Sequence, residues 1–169
     1  NLNTKKDTLI SNGVQSRAAW NEDGTKIFYS KKPKYPNKHG SKYFDLYRYN
    51  LSIEEEQRLT FGSRLTSPVF HKETNSIASI NSYDGTSNIM VAKNIDITQD
   101  TIYFIHITKL KNGMQLLSLT WEDDGLLVDG VYDQGRQIYR VELNNGELIQ
   151  LTSVSFTNLR ANEKLRYHV

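Results

Sequence analysis

The side chains that could perform acid–base or nucleophilic chemistry are scattered along this sequence. Hydrolytic catalysis of that kind needs a nucleophile, a histidine base and an orienting acid that act together. No Gly-x-Ser-x-Gly elbow is present, and the chain has no cysteine. The histidines stand alone in separate parts of the chain, at His39, His71, His106 and His168. The sequence therefore predicts that this chain is not an enzyme and has no catalytic residue.

Two short acidic clusters could attract a metal ion. One is formed by Glu22 and Asp23 and the other by residues 122–124, and a glycine follows each cluster. A calcium site needs six or more oxygen ligands in a defined loop, whereas an acidic residue followed by glycine is typical of a tight hairpin turn. We therefore predict turns here, with no metal site and no cofactor.

A lysine-rich stretch at 31–42 is the best candidate for contact with a partner. It reads Lys-Lys-Pro-Lys-Tyr-Pro-Asn-Lys-His-Gly-Ser-Lys, with five lysines around one tyrosine. Binding residues often lie on loops that a rigid scaffold supports. The alternative is a solvated hairpin tip whose charge is balanced by the glutamates at 54–56. The candidate contact residues are Lys32, Lys34, Tyr35, Lys38 and His39.

The overall composition excludes several classes of partner. With 21 basic and 19 acidic residues, the net charge of +2 gives no field of the kind that collects nucleic acid. No apolar run approaches the ~20 residues of a membrane-spanning helix. An aromatic content of 11% is too high for a disordered chain, so we expect a folded domain.

A repeat of about 50 residues organises the chain. Its aromatic anchors, Trp20, Phe70 and Trp121, are 50 and 51 residues apart. After each tryptophan comes an acidic turn with glycine and then an alternating strand, while the middle copy has Thr-Asn at 74–75 instead. We expect Trp20 and Trp121 to occupy equivalent interior positions between packed sheets.

Each repeat continues with two further strand-like segments. The first contains Asp-Leu-Tyr, Asn-Ile-Met or Gln-Ile-Tyr, and the second ends in Leu-Thr or Ile-Thr. Together with the anchor hairpin they make four strands, which is one β-propeller blade. The sequence therefore predicts an all-β fold of four-stranded antiparallel blades in a single segment spanning 1–169. Full blades are expected at about 17–60, 66–108 and 115–152, with partial blades at 1–15 and 156–169.

These motifs resemble the TolB-like (WD-like) β-propeller repeat, which also occurs in the propeller domains of prolyl-oligopeptidase-type peptidases. The resemblance covers roughly residues 16–152. It implies a ring of six or more blades, because a propeller must close to cover its blade faces. The chain would then be part of a larger propeller, and a compact four-bladed ring is the alternative.

The resemblance also implies a function and a location. It favours a noncatalytic scaffold that binds a protein or peptide partner in the bacterial cell envelope or periplasm. A first alternative is the gating propeller of a serine peptidase whose catalytic domain lies outside this chain. A second alternative is a propeller that binds a sugar or another small molecule.

Overall fold

The protein is all-β. The computed structural model describes residues 7–83, 85–95, 102–111, 113–132 and 135–152. Within these ranges twelve strands form three four-stranded antiparallel sheets, which we call blades I, II and III. The predicted fold class is confirmed. In the described part of the chain no helix is long and apolar enough to cross a membrane.

The strands follow one another in simple meanders. Blade I contains β1 (Ala19–Trp20), β2 (Lys26–Lys31), β3 (Asp45–Asn50) and β4 (Glu55–Arg58). Blade II contains β5 (Leu65–His71), β6 (Ser76–Ser82), β7 (Ser87–Ala92) and β8 (Ile105–His106). Blade III contains β9 (Gln115–Glu122), β10 (Gly125–Tyr132), β11 (Gly135–Val141) and β12 (Leu148–Gln150). The partial blade expected at 156–169 lies outside the described residues.

A threonine closes every blade in the same way, and it explains the repeated Leu-Thr or Ile-Thr ending. Its hydroxyl donates to the side chain of a residue at or near the start of the third strand and accepts the N–H of the next residue. In blade I the Thr60 hydroxyl lies 3.1 Å from Asp45 Oδ1. The three pairs are Asp45 with Thr60, Asn88 with Thr108, and Gln137 with Thr152. We call this arrangement the threonine clasp.

The hydrophobic core lies between the blades, and β6 contributes to it from both faces. Successive side chains of a strand point to opposite sides, so Ile77 packs with blade I while Ala78 and Ile80 pack with blade III. All three side chains are buried, as are Leu46 of blade I and Leu126 of blade III. A run of apolar and small residues therefore forms a strand that is covered on both sides.

Two of the three aromatic anchors contact the preceding blade. Phe70 stacks on Phe28 of blade I, with ring centroids 5.7 Å apart. The Trp121 indole N–H donates to the Val69 carbonyl of blade II at 3.0 Å. Trp20 has the equivalent place in its own blade but is 52% exposed, because no blade precedes it among the described residues. The prediction that both tryptophans are interior is therefore wrong for Trp20.

Candidate partner-binding face

The two ends of the strands form two different faces. The loops between second and third strands, together with the connectors between blades, lie at one end, which we call the connector face. There Arg64 of the first connector, residues 59–64 between blades I and II, contacts Tyr43 and Tyr83 from two such loops. The tight turns that follow the first strands lie at the other end, the hairpin face, where the His71 ring reaches the Asp123 carbonyl.

The lysine-rich stretch extends from β2 into the loop of blade I on the connector face. Its candidate contact residues are exposed, and the Tyr35 ring is 71% accessible. The Lys32 ammonium lies 5.0 Å from the centre of the Phe44 ring, and the Lys34 ammonium lies 5.2 Å from that of Tyr35. Both ammonium groups are within cation–π distance of a ring while the lysine side chains stay exposed. The predicted contact residues Lys32, Lys34, Tyr35, Lys38 and His39 stay a prediction.

The tip of this loop is a defined turn. The Asn37 side-chain oxygen accepts the backbone N–H groups of His39 at 3.0 Å and Ser41 at 2.9 Å. Such a turn is the usual reason for an Asn in a loop, and Gly40 supplies a left-handed φ of 75°. The Lys42 ammonium also donates to the Lys34 carbonyl at 2.7 Å. The loop therefore presents its cations from an ordered backbone.

Lys31 is separated from the other lysines by an ion pair. It lies in β2 and binds the Glu56 carboxylate, which also accepts the hydroxyls of Ser11 and Tyr29. Burial opposes ionisation of Glu56, but these hydrogen bonds outweigh it and hold its pKa below the ordinary value. Burial and the contact with Glu56 raise the pKa of Tyr29. Glu56 thus balances the charge of Lys31, whereas the exposed loop lysines form no ion pair among the described residues.

An arginine between two tyrosines joins the loop to the first connector. The Arg64 guanidinium carbon lies 4.1 Å from the Tyr43 ring centre and 4.9 Å from that of Tyr83. One guanidinium nitrogen donates to the Tyr83 carbonyl at 2.6 Å, and Arg64 has a left-handed φ of 53°. Hydrogen bonds from Ser41 and Arg64 lower the pKa of the Tyr43 hydroxyl. The sequence pattern does not reveal this stack, because its members come from three separated segments.

A cleft of about 610 Å³ opens next to Tyr83. Its walls include the exposed rings of Phe61, Tyr83 and Tyr103, which are 66%, 69% and 84% accessible. The buried side chains of Leu65 and Ile102 lie beneath them. The sequence pattern does not predict this cleft, because it forms only when the connector after blade I packs against blade II.

The described histidines lie apart from one another. The Nδ1 atom of His71 accepts the Thr74 N–H at 3.2 Å, so Nε2 donates to the Asp123 carbonyl at 3.1 Å. His39 and His106 are exposed on different elements, and His168 lies outside the described residues. In the described ranges no group of three or more His, Asp or Glu side chains could hold a metal ion.

The acidic turns have their own hydrogen-bond partners. The Asp23 carboxylate accepts the Thr25 hydroxyl and the Thr25 N–H, and these bonds hold the pKa of Asp23 below its ordinary value. In blade III the Arg140 guanidinium binds Glu122 at 2.7 Å and Asp124 at 2.8 Å. These carboxylates are therefore explained by turn and sheet structure.

Three four-stranded antiparallel sheets, packed through aromatic anchors, define a segment of a β-propeller. The fold is that of the TolB-like propellers and of the propeller domains of prolyl-oligopeptidase-type peptidases, as comparison with solved structures shows. No model of a known protein family matches the sequence. No curated protein matches it either.

Three solved structures illustrate the likeness. A protein assigned as TolB from Agrobacterium tumefaciens is 18% identical, with a TM-score of 0.60 over 86% of this chain and 52% of its own. An oligogalacturonate lyase in complex with manganese is 14% identical, with a TM-score of 0.65 over 91% of this chain and 46% of its own. The β-propeller domain of the Trilobed protease from Pyrococcus furiosus is 17% identical, with a TM-score of 0.59 over 85% of this chain and 43% of its own. The chain thus spans about half the length of these structures or less, and the likeness establishes the fold.

Proposed function

We propose that the chain is a noncatalytic propeller scaffold that binds an acidic protein or peptide partner through its connector face. The observation that carries the proposal is the arrangement around Arg64. This cation and the exposed loop lysines form no ion pair among the described residues, and they lie beside exposed aromatic rings. Arginine and tyrosine are the residue types that most often dominate the energy of protein interfaces.

The kinds of charge on this face determine how such a partner would bind. Exposed lysines on a loop contribute mainly to the association rate and to its salt dependence, since water and salt screen them. Arg64 is held in place by two rings and by its hydrogen bond to the Tyr83 carbonyl, so it loses less conformational freedom than a free lysine when it pairs with a carboxylate. We therefore assign long-range attraction to the loop and the specific ion pair to Arg64.

The proposed location is the bacterial periplasm or cell envelope. It is supported by the sequence resemblance to the TolB-like repeat and by the common fold with the Agrobacterium protein. The test is to express the full-length gene in bacterial cells, separate the periplasmic and cytoplasmic fractions, and detect the protein in each. Retention of the protein in the cytoplasm would contradict it.

A second candidate is the propeller domain of a larger peptidase. The likeness to an acylaminoacyl peptidase from Pyrococcus horikoshii covers 85% of this chain but only 25% of that enzyme. Under this hypothesis the catalytic residues are supplied by a separate α/β domain in the same polypeptide. A Gly-x-Ser-x-Gly elbow in the parent gene would select this function over the scaffold.

The proposed function is tested with charged peptides and two matched double variants. A fluorescein-labelled oligoglutamate peptide should bind the chain and dissociate as salt is raised, while an oligolysine peptide should not bind. Replacing Lys34 and Lys38 with Ser should weaken binding severalfold. Replacing Lys72 and Lys93 with Ser removes the same charge from the hairpin face and should have little effect on peptide binding. Equal losses in the two variants, or no binding of oligoglutamate, would contradict the proposal.

A further inference from the structure

The cleft beside Arg64 has aromatic walls that are supported by arginines. The guanidinium carbon of Arg58 lies 4.7 Å from the centre of the Phe61 ring. The guanidinium carbon of Arg64 lies 4.9 Å from the centre of the Tyr83 ring. Single exposed apolar residues are normal on protein surfaces, but here three exposed rings surround one cavity. Rings that are held in this way form a prepared apolar surface.

The two arginines differ in charge balance. Arg58 forms an ion pair with the buried carboxylate of Asp45 at 2.6 Å, so its charge is already neutralised. Arg64 forms no ion pair among the described residues. A carboxylate from a ligand would therefore be attracted to the Tyr83 side of the cleft. The loop lysines continue the same positive surface beyond Tyr43, which contacts the far side of Arg64.

The connector that forms this site is fixed to blades I and II by hydrogen bonds. The Asn81 side-chain amide donates to the Ser63 carbonyl at 2.6 Å, and the Ser63 N–H donates to Asp45 at 2.9 Å. Arg64 follows directly, in a left-handed conformation that is uncommon for a residue with a side chain. Such strain persists only where the surrounding structure enforces it, and it often marks functional sites. The cleft is therefore built into the fold.

We infer that this cleft binds the apolar side chain of an extended peptide whose neighbouring residues are aspartate or glutamate. The inference rests on the proposed function and adds the kind of sequence that is recognised. A volume of about 610 Å³ is within the range of small-ligand sites and exceeds what one aromatic ring occupies. The apolar side chain enters between Phe61 and Tyr83, one carboxylate pairs with Arg64, and further acidic residues follow the surface toward the lysine loop.

Three labelled peptides test this inference by fluorescence anisotropy. The first is Gly-Phe-Glu-Asp-Glu-Gly, the second replaces Phe with Ser, and the third replaces the acidic residues with Gln and Asn. We expect the first peptide to bind about tenfold more tightly than either of the others. Equal binding of the first two peptides would show that the cleft does not bind the Phe side chain, while the proposed function would stay intact. Failure of every acidic peptide, including oligoglutamate, would contradict both.

Alanine variants show which residues cause the preference for the Phe-containing peptide. Phe61→Ala and Tyr83→Ala should each remove most of the preference for the Phe-containing peptide. Phe61→Ala should also retain salt-dependent binding of the acidic peptide without Phe, because the Phe61 ring lies against Arg58 and the Tyr83 ring lies against Arg64. Tyr132→Ala is the control, since this ring is exposed in blade III away from the cleft. Circular dichroism would confirm that all variants fold. If the preference persists in both cleft variants, or disappears equally in Tyr132→Ala, the inference is wrong.

Discussion

The connector face and the hairpin face both carry many charges, but they use them differently. On the hairpin face the Asp23 carboxylate binds Thr25, and the carboxylates of Glu122 and Asp124 bind Arg140. On the connector face Arg64 and the exposed loop lysines have no acidic partner among the described residues. These hairpin-face carboxylates therefore stabilise their own turns or sheets, whereas Arg64 and the loop lysines of the connector face are available to a ligand.

This contrast indicates which substitutions should affect stability and which should affect binding. A polar group with internal partners contributes to folding, because its loss leaves those partners unsatisfied. An exposed group without a partner contributes little to folding and can be replaced at small cost. The predictions below test this division, beginning with the largest change in the free energy of unfolding.

The largest effect should come from the anchor that supports the hairpin face. Trp121 packs against the His71 ring at 4.7 Å and donates to the Val69 carbonyl, so Trp121→Ala should lower the free energy of unfolding by about 3 kcal/mol. Trp20→Ala, at the equivalent exposed position, should cost less than about 1 kcal/mol. Urea denaturation measures both. If the two variants lose similar free energies of unfolding, the presence of a preceding blade does not determine how much each tryptophan stabilises the fold.

A smaller effect should come from Glu56, and it should depend on pH. Glu56→Gln should lower the free energy of unfolding by about 1 kcal/mol at pH 7, because Lys31 loses its partner. Since the folded-state pKa of Glu56 lies below its ordinary value of 4.5, its contribution is present above that pH and is lost as the pH falls through the folded value. Denaturation at pH 7 and pH 3 measures the difference between parent and variant. A constant difference across this range would disprove the assigned ionisation.

The smallest stability effect should come from the lysine loop. Replacing Lys32, Lys34 and Lys38 with Ser should change the free energy of unfolding by no more than about 0.5 kcal/mol. The same variant should bind oligoglutamate more weakly, and with a flatter salt dependence, because screened attraction has been removed. Urea denaturation and anisotropy at two salt concentrations check the two parts. Unchanged affinity would make the loop a solvated hairpin tip.

Much of the fold could be predicted from the sequence because the repeated residues have local structural roles. The Leu-Thr and Ile-Thr endings mark the threonine clasp, and the aromatic anchors mark the first strand of each blade. The exposure of Trp20 could not be predicted, since the burial of this position depends on a neighbouring blade. The candidate loop is visible as a run of lysines, but the Arg64 stack depends on contacts between separated segments.

Amide hydrogen exchange tests the central claim most directly. The exchange of the whole chain is measured by mass spectrometry with and without saturating Gly-Phe-Glu-Asp-Glu-Gly peptide. Binding at the connector face predicts slower exchange in residues 32–44 and 59–64, with no change in the hairpin turns at 21–25 and 72–75. Slower exchange in the hairpin turns, without any change at the connector face, would contradict the account.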